Sequence, residues 1–312
     1  MIPTLLILLA LSSVDDEASL EQYFLRNVTA HKMVLDRESD KSTVSVAATG
    51  FGYYAWAVAA RRGRLSREAA IAWMDESLTF VQQTSPKKNR GWLYHFTDPE
   101  GRPKFDGEVS SIDTALFFLG ARKAAQTLGD ARLSRRVEEM IAAVEVAYML
   151  APGQERYFSH CFYWEGGRRR FSAYTWDDYS EGVLLYRLFN KDFKPRQVRY
   201  DLPLFVYYYP LCFYDDPGAA SALCKAVEHQ LRAHGACGIT ACDGPGGYCV
   251  NDPRIISPLA LWAVSRYSEP AATFLRDCPH PRTTPSYCRH TGRVMADRIG
   301  IDCGSTLMLV AR

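Results

Sequence analysis

The side chains best placed to do chemistry are carboxylates beside helix starts and glycine turns. The stretch Asp106 to Gly120, DGEVSSIDTALFFLG, sets Glu108 just ahead of a helix start. Ser110 can cap that helix and Asp113 follows three residues on, the spacing of a capping box. Asp113 therefore reads first as a cap. Glu108 lies outside the box, and an acid at the mouth of a buried helix is a place for proton transfer. Asp178 and Glu181 repeat the capping-box spacing within Trp176-Asp177-Asp178-Tyr179-Ser180-Glu181. Asp243 sits in a loop, Gly238 to Tyr248, that holds four glycines. Asp beside Gly commonly holds a turn. The loop has neither a Walker lysine nor a G-x-G-x-x-G after a strand, so phosphate binding is not expected. Asp252, followed by Pro253, precedes a further helix.

The elements that must position these acids alternate between two kinds of helix. From a cap at Ser42 or Thr43, apolar residues including Val46, Ala47, Phe51, Tyr54 and Val58 surround the axis to about Ala60. Gly50 and Gly52 lie inside it, each costing roughly 1 kcal/mol against Ala. They are tolerated where another backbone or a ligand approaches closely. This is an inner helix. Ser66 then caps a helix with Ile71, Met74, Leu78 and Val81 on one face, an amphipathic outer helix. Trp92 to Phe96 reads as extended. The pattern repeats: a helix apolar all round from Ser111 to about Thr127, then an outer one with Val137, Met140, Ile141 and Val144 on one face. Two such hairpins suggest a helical toroid whose inner helices point their starts at a common mouth, with a plain bundle as the alternative. Further helices are expected over 20–32, from Trp176 onward, over 219–234, 255–267, 270–277 and 299–310. Residues 203–214 read as extended and aromatic.

Composition bounds the rest. With 312 residues, 47% hydrophobic and 23% charged, the chain can bury a sizeable core. A formal net charge of +2 gives no electrostatic footprint for nucleic acid. Residues 2–12, IPTLLILLALS, are an apolar run shorter than the ~20 residues needed to span a bilayer. Small residues at Ala10 and Ser12 resemble a secretory cleavage site. We read residues 1–13 as a signal peptide, with a buried N-terminal helix as the alternative, residues 14–35 as a helical lead-in and 36–312 as the main domain. The expected location is the periplasm or outside the cell, with no stable membrane insertion after signal removal. All nine cysteines lie between Cys161 and Cys303. After export they could pair, the odd count leaving at least one over. Cys237 and Cys242 lack a second close pair and there is no helical His pair, so no metal site is expected.

Six segments, taken in order, resemble the glucoamylase-like family of bacterial carbohydrate-active proteins, which includes endo-β-1,2-glucanases. They are Ser45 to Gly52, Trp92 to Phe96, Glu108 to Leu116, Trp176 to Tyr186, Gly238 to Pro245 and Ile299 to Gly304. The resemblance covers about residues 36–312 and implies an all-α, (α/α)6 toroid of inner and outer helices with short extended segments in the cleft loops. It also implies a glycan cleft at one end, no cofactor, and a carboxylate pair acting on a glycosidic bond. On that basis Glu181 is the candidate general acid and Asp243 the likeliest base. Glu108 and Asp113 would line the cleft, with Asp252 as a second candidate base. Trp92, His95, Trp164, Trp176 and Tyr248 would stack on or hydrogen-bond sugar rings. One protonated and one ionised carboxyl group, about 6.5–9.5 Å apart, predict inversion. The expected partner is a polysaccharide or oligosaccharide. A non-catalytic carbohydrate-binding protein of the cell envelope on the same toroid is the alternative.

Overall fold

The computed structural model describes residues 15–311, so the apolar run at 2–12 lies outside the described residues. Among those described, no helix is long and apolar enough to cross a membrane. The first helix, α1, covers 15–26 rather than 20–32. It stops where the chain turns back to pair Val28 with Val34. Leu20, Tyr23 and Phe24 enter the core, and the Trp56 indole donates to the Phe24 carbonyl at 2.9 Å.

Helix α2 (Val46–Arg61) starts at a Ser45 cap, not at 42 or 43; the Ser45 hydroxyl accepts from the Ala48 N–H. Every residue from Val46 to Ala59 is buried. Its partner is α4 (Ser111–Leu128), and of the two glycines read in α2, Gly50 meets α4 while Gly52 faces Val34 and Phe24. A Cβ on Gly120 would lie 2.0 Å from the Gly50 carbonyl oxygen, and one on Gly50 would lie 2.5 Å from the Leu116 oxygen. The α2 and α4 backbones thus cross with no side chain between them, which offsets the propensity cost of both glycines. The outer helices α3 (Arg67–Thr84) and α5 (Ala131–Ala142) pack behind α2 and α4.

The ring continues through α6 (Val183–Leu188), α7 (Phe205–Phe213), α9 (Pro258–Val264) and α11 (Gly300–Val310), all predominantly buried. Helix α11 closes it against α2, with Gly304 set against Phe51 and Gly300 against Ala48. Helices α8 (Pro217–His234) and α10 (Glu269–Arg276) lie outside α7 and α9. Between α6 and α7 the outer position is taken by irregular chain. The architecture is an (α/α)6 toroid.

Three local expectations are corrected. Residues 203–214 are not extended: Phe205–Phe213 is helical, with Tyr207, Tyr208 and Tyr209 all buried. Aromatic runs favour strands only through their packing, and here an inner-ring helix supplies that packing on every side. The helix expected from Trp176 begins only at Val183, because the preceding backbone bonds elsewhere: Tyr179 N–H to the Gln197 carbonyl, and Arg196 N–H to the Asp177 carbonyl. The Asp178–Glu181 capping box therefore does not form, and Asp178 accepts from the Gln197 amide instead at 2.7 Å. The 255–267 helix is shorter, since Ile255–Ile256 pairs with Tyr287 and Cys288 before Pro258 starts α9.

Short extended segments sit at one end of the ring. Val44–Ser45 pairs antiparallel with Phe96–Thr97, which fixes His95 beside the start of α2. Val109–Ser110 pairs with Cys161–Phe162 at the start of α4. A hairpin runs from Cys242–Gly244 to Gly247–Cys249.

Candidate active site

The starts of α4, α7 and α11 and the segment leading into α2 open on one cavity of about 560 Å³. Thr43 and Ser45 line it from just before α2, Ile112 and Asp113 from α4, Phe205 and Tyr209 from α7, and Ile299 and Ile301 from the start of α11. Helix starts carry positive dipole ends, which suit a pocket furnished with carboxylates.

Glu181 reaches this cavity from the turn before α6 and is 8% exposed. Burial pushes its carboxyl up from 4.5 to about 7, and the nearby Asp113 charge adds to the rise. Asp113 lines the cavity from the first turn of α4, where it is both cap partner and wall. Its N–H donates to the Ser110 hydroxyl, which in turn donates to its carboxylate. Burial raises its pKa too, opposed by His95.

His95 lies between two acids, with Nδ1 3.4 Å from Glu108 and Nε2 3.6 Å from Asp113. Burial disfavours its charge, but Asp113, Glu108 and Asp36 outweigh burial and raise its pKa to about 9. It is therefore an imidazolium at neutral pH, stacked on Phe96 with ring centroids 3.8 Å apart. Glu108 contacts the site through His95 and accepts from the Tyr163 hydroxyl at 2.9 Å.

A second acidic group surrounds Arg37, which also lines the cavity. Its guanidinium donates to Asp243 at 2.9 Å and to Asp36 at 3.3 Å. Asp302, at the start of α11, is pushed up to about 8 by burial, with Asp36 and Asp243 adding. What joins Arg37 to Asp243 is a contact across 206 positions, invisible to local pattern. Asp302 lay inside a segment carrying the family resemblance, and that was its one available signal.

Among the described residues, two buried carboxylate oxygens have no hydrogen-bond partner: Glu181 Oε2 and Asp243 Oδ1. Glu181 lines the cavity, whereas Asp243 does not and is joined to it through Arg37; native structures satisfy nearly all such atoms, so the two orphans call for a missing ligand or a chemical role.

The aromatic residues divide. Tyr248 lines the cavity and is 57% exposed, and Phe105, also lining it, is 63% exposed. Three tryptophans expected at the cleft are elsewhere. Trp92 is fully buried and donates to the Glu145 carbonyl at 3.1 Å. Trp164 donates to Asn89 at 2.8 Å, with Lys88 over its ring. Trp176 donates to the Ser111 hydroxyl and stacks on His160, behind the cavity wall. Each satisfies its indole N–H inside the protein, so packing rather than ligand contact explains it. Asp252 is also outside the cavity: its carboxylate binds the Arg254 guanidinium at 2.6 Å and holds a turn.

No family model matches the sequence, and no curated protein matches it. Solved structures do. An endo-β-1,2-glucanase from Chitinophaga pinensis, in complex with sophorotriose and glucose, superposes with a TM-score of 0.77 at 17% identity, over 96% of this chain and 91% of that one. A β-1,2-glucanase from Parabacteroides distasonis gives 0.80 at 14% identity, over 96% of this chain and 55% of that one. An endo-β-1,2-glucanase from Talaromyces funiculosus, in complex with sophorose, gives 0.68 at 12% identity, over 94% and 83%. The chain therefore has the (α/α)6 toroid fold of these glucanases, in agreement with the glucoamylase-like resemblance of its sequence.

Proposed function

We propose that the protein is a glycoside hydrolase in which Glu181 is the general acid and Asp243 the general base. The observation that carries this reading is the orphaned Glu181 Oε2 on the cavity wall, with a second orphaned oxygen on Asp243, which is joined to the cavity through Arg37. A glycosidase needs one carboxyl group that still holds its proton near neutral pH and one that is ionised. Glu181, pushed up to about 7, meets the first need; we assign the second to Asp243, whose carboxylate lies 2.9 Å from the Arg37 guanidinium.

Glu181 donates its proton to the interglycosidic oxygen as the bond to the anomeric carbon breaks. Asp243 takes a proton from the attacking water through Oδ1. Asp113 and the His95 imidazolium hold the hydroxyls of the ring between them. Phe105 and Tyr248 at the mouth offer faces to the C–H surfaces of flanking sugars. Direct attack by water inverts the anomeric centre, and we propose that outcome.

The substrate we propose is a β-glucan, with β-1,2 linkages first because the similar solved proteins are β-1,2-glucanases. Export through the apolar run at 2–12 is part of the same reading. Release of reducing ends from β-1,2-, β-1,3-, β-1,4- and β-1,6-glucans tests it. Turnover on one of them, lost in Glu181→Gln, is the expected result; no turnover on any glycan overturns the assignment. One contact favours a second reading, a carbohydrate-binding protein without catalysis: Arg37 already occupies Asp243 Oδ2. Calorimetric binding without turnover would select it.

A further inference from the structure

The hairpin that carries Asp243 and Tyr248 presents different residues on its two faces. Side chains alternate across a strand. Asp243 and Tyr248, directly paired, share the face turned to Arg37 and the cavity. Cys242 and Cys249, the next pair along, share the other. That second face packs on Ile255, Cys288 and Met295 in a small apolar cluster separate from the main core. The Cys249 thiol donates to the Cys242 carbonyl at 3.2 Å, and the Cys242 thiol donates to the Thr240 carbonyl at 3.4 Å. Directly opposed residues of an antiparallel pair have Cα atoms about 4.5–5.5 Å apart, inside the ~4.4–6.8 Å that a disulfide spans. All nine cysteines are free thiols in the structure.

We propose that Cys242 and Cys249 form a thiol–disulfide pair that closes the base of the active-site hairpin. The inference goes beyond the hydrolase reading and does not depend on it. The roles of the two sulfurs differ. Cys242 is 1% exposed, while Cys249 is half-buried and accessible to an oxidant. The neighbouring Cys242 also holds the Cys249 thiol below its ordinary value, which favours the attacking thiolate.

With a small-molecule disulfide as oxidant, the Cys249 thiolate attacks one sulfur of that disulfide and expels a thiol, leaving a mixed disulfide on Cys249. Cys242 then loses its proton, attacks the Cys249 sulfur and expels the second thiol. Two electrons pass from the protein thiols to the oxidant, which leaves as two reduced thiols. Cys288, in the same cluster, is the competing partner, but it stands opposite Ile255 rather than opposite either hairpin cysteine.

The linkage also has a mechanical consequence. The hairpin turn is only Pro245-Gly246, and its inner strand is tied to the neighbouring sheet by the Ser286 hydroxyl donating to the Asp243 carbonyl at 2.6 Å. Among the described residues, the hydrogen bonds of the outer strand, which carries Tyr248, stay within its own hairpin. A 242–249 bond fixes that outer strand.

The test uses the full chain, purified reduced, equilibrated with glutathione disulfide, alkylated and digested with trypsin. The peptide Ala233–Arg254 contains Cys237, Cys242 and Cys249 with no internal cleavage site. The expected product carries one alkyl group, on Cys237, and has lost two hydrogens. Cys242→Ser and Cys249→Ser each abolish that loss, and Cys288→Ser leaves it intact. Chymotryptic cleavage after Tyr248 slows in the oxidised protein, an independent readout on the wild type that needs no variant to fold. Three alkyl groups on the peptide after oxidation, glutathione retained on Cys249 without ring closure, or a bond mapped to Cys288 each overturn the inference.

Discussion

Replacing Glu181 by Gln keeps the side chain's size and removes its proton, so it separates chemistry from packing. Two effects of opposite sign follow. Loss of the general acid lowers kcat by roughly 10²–10⁴-fold. Stability moves the other way. The carboxyl is raised from 4.5 to about 7, and at 8% exposure solvent screens it little. Between those two values the native protein holds a proton that the unfolded chain has released, so stability falls as pH rises through that window. Above pH 7 the ionised wild type carries a cost of about 3 kcal/mol that the amide does not. Glu181→Gln should therefore melt higher than wild type at pH 8 and match it near pH 4, where both states are protonated. Wild-type activity should fall as pH passes about 7. Reducing-end release and thermal melts across pH 4–9 measure both effects. Wild-type turnover in the variant, or identical melting temperatures at pH 8, would refute the reasoning.

Other perturbations test the surrounding structure. His95 is raised from 6.5 to about 9, so its contribution is full below 6.5 and lost as pH rises through 9. His95→Gln should lower the melting temperature most near pH 6 and least above pH 9. Gly120→Ala drives a methyl into the Gly50 carbonyl and should cost at least ~1–3 kcal/mol in urea unfolding, whereas Ala is ordinarily preferred in a helix. Trp92→Ala should cost ~3–5 kcal/mol of stability, as expected for a fully buried indole. Tyr248→Ala should leave stability within ~0.5 kcal/mol and weaken oligosaccharide binding up to roughly tenfold, read by calorimetry.

Much of the ring was legible in the sequence because it is written in local signals. Apolar periodicity placed α2 to α5, serine caps marked the starts of α3 and α4, and Gly50 announced a close approach that α2 and α4 then made. Where local signals ran out, the reading failed in recognisable ways. The tyrosine run at 207–209 looked like strand because its neighbours were unknown. Indoles looked like sugar platforms because residue type does not report exposure: Trp92, Trp164 and Trp176 bond inward. Asp36 and Arg37 carry no local signal, because their meaning comes from Asp243 and Asp302, brought close only in the closed ring. Glu181 and Asp243 were placed through family resemblance, not spacing, since the capping box that Glu181 mimics never forms.

The most direct test is a crystal structure of Glu181→Gln with a β-1,2-linked gluco-oligosaccharide spanning the cavity. The predicted result is an interglycosidic oxygen within about 3.2 Å of the side-chain amide at position 181, with a water at Asp243 on the far side of the anomeric carbon. An oligosaccharide bound outside the cavity, or inside it with position 181 facing only ring hydroxyls, would contradict the assignment.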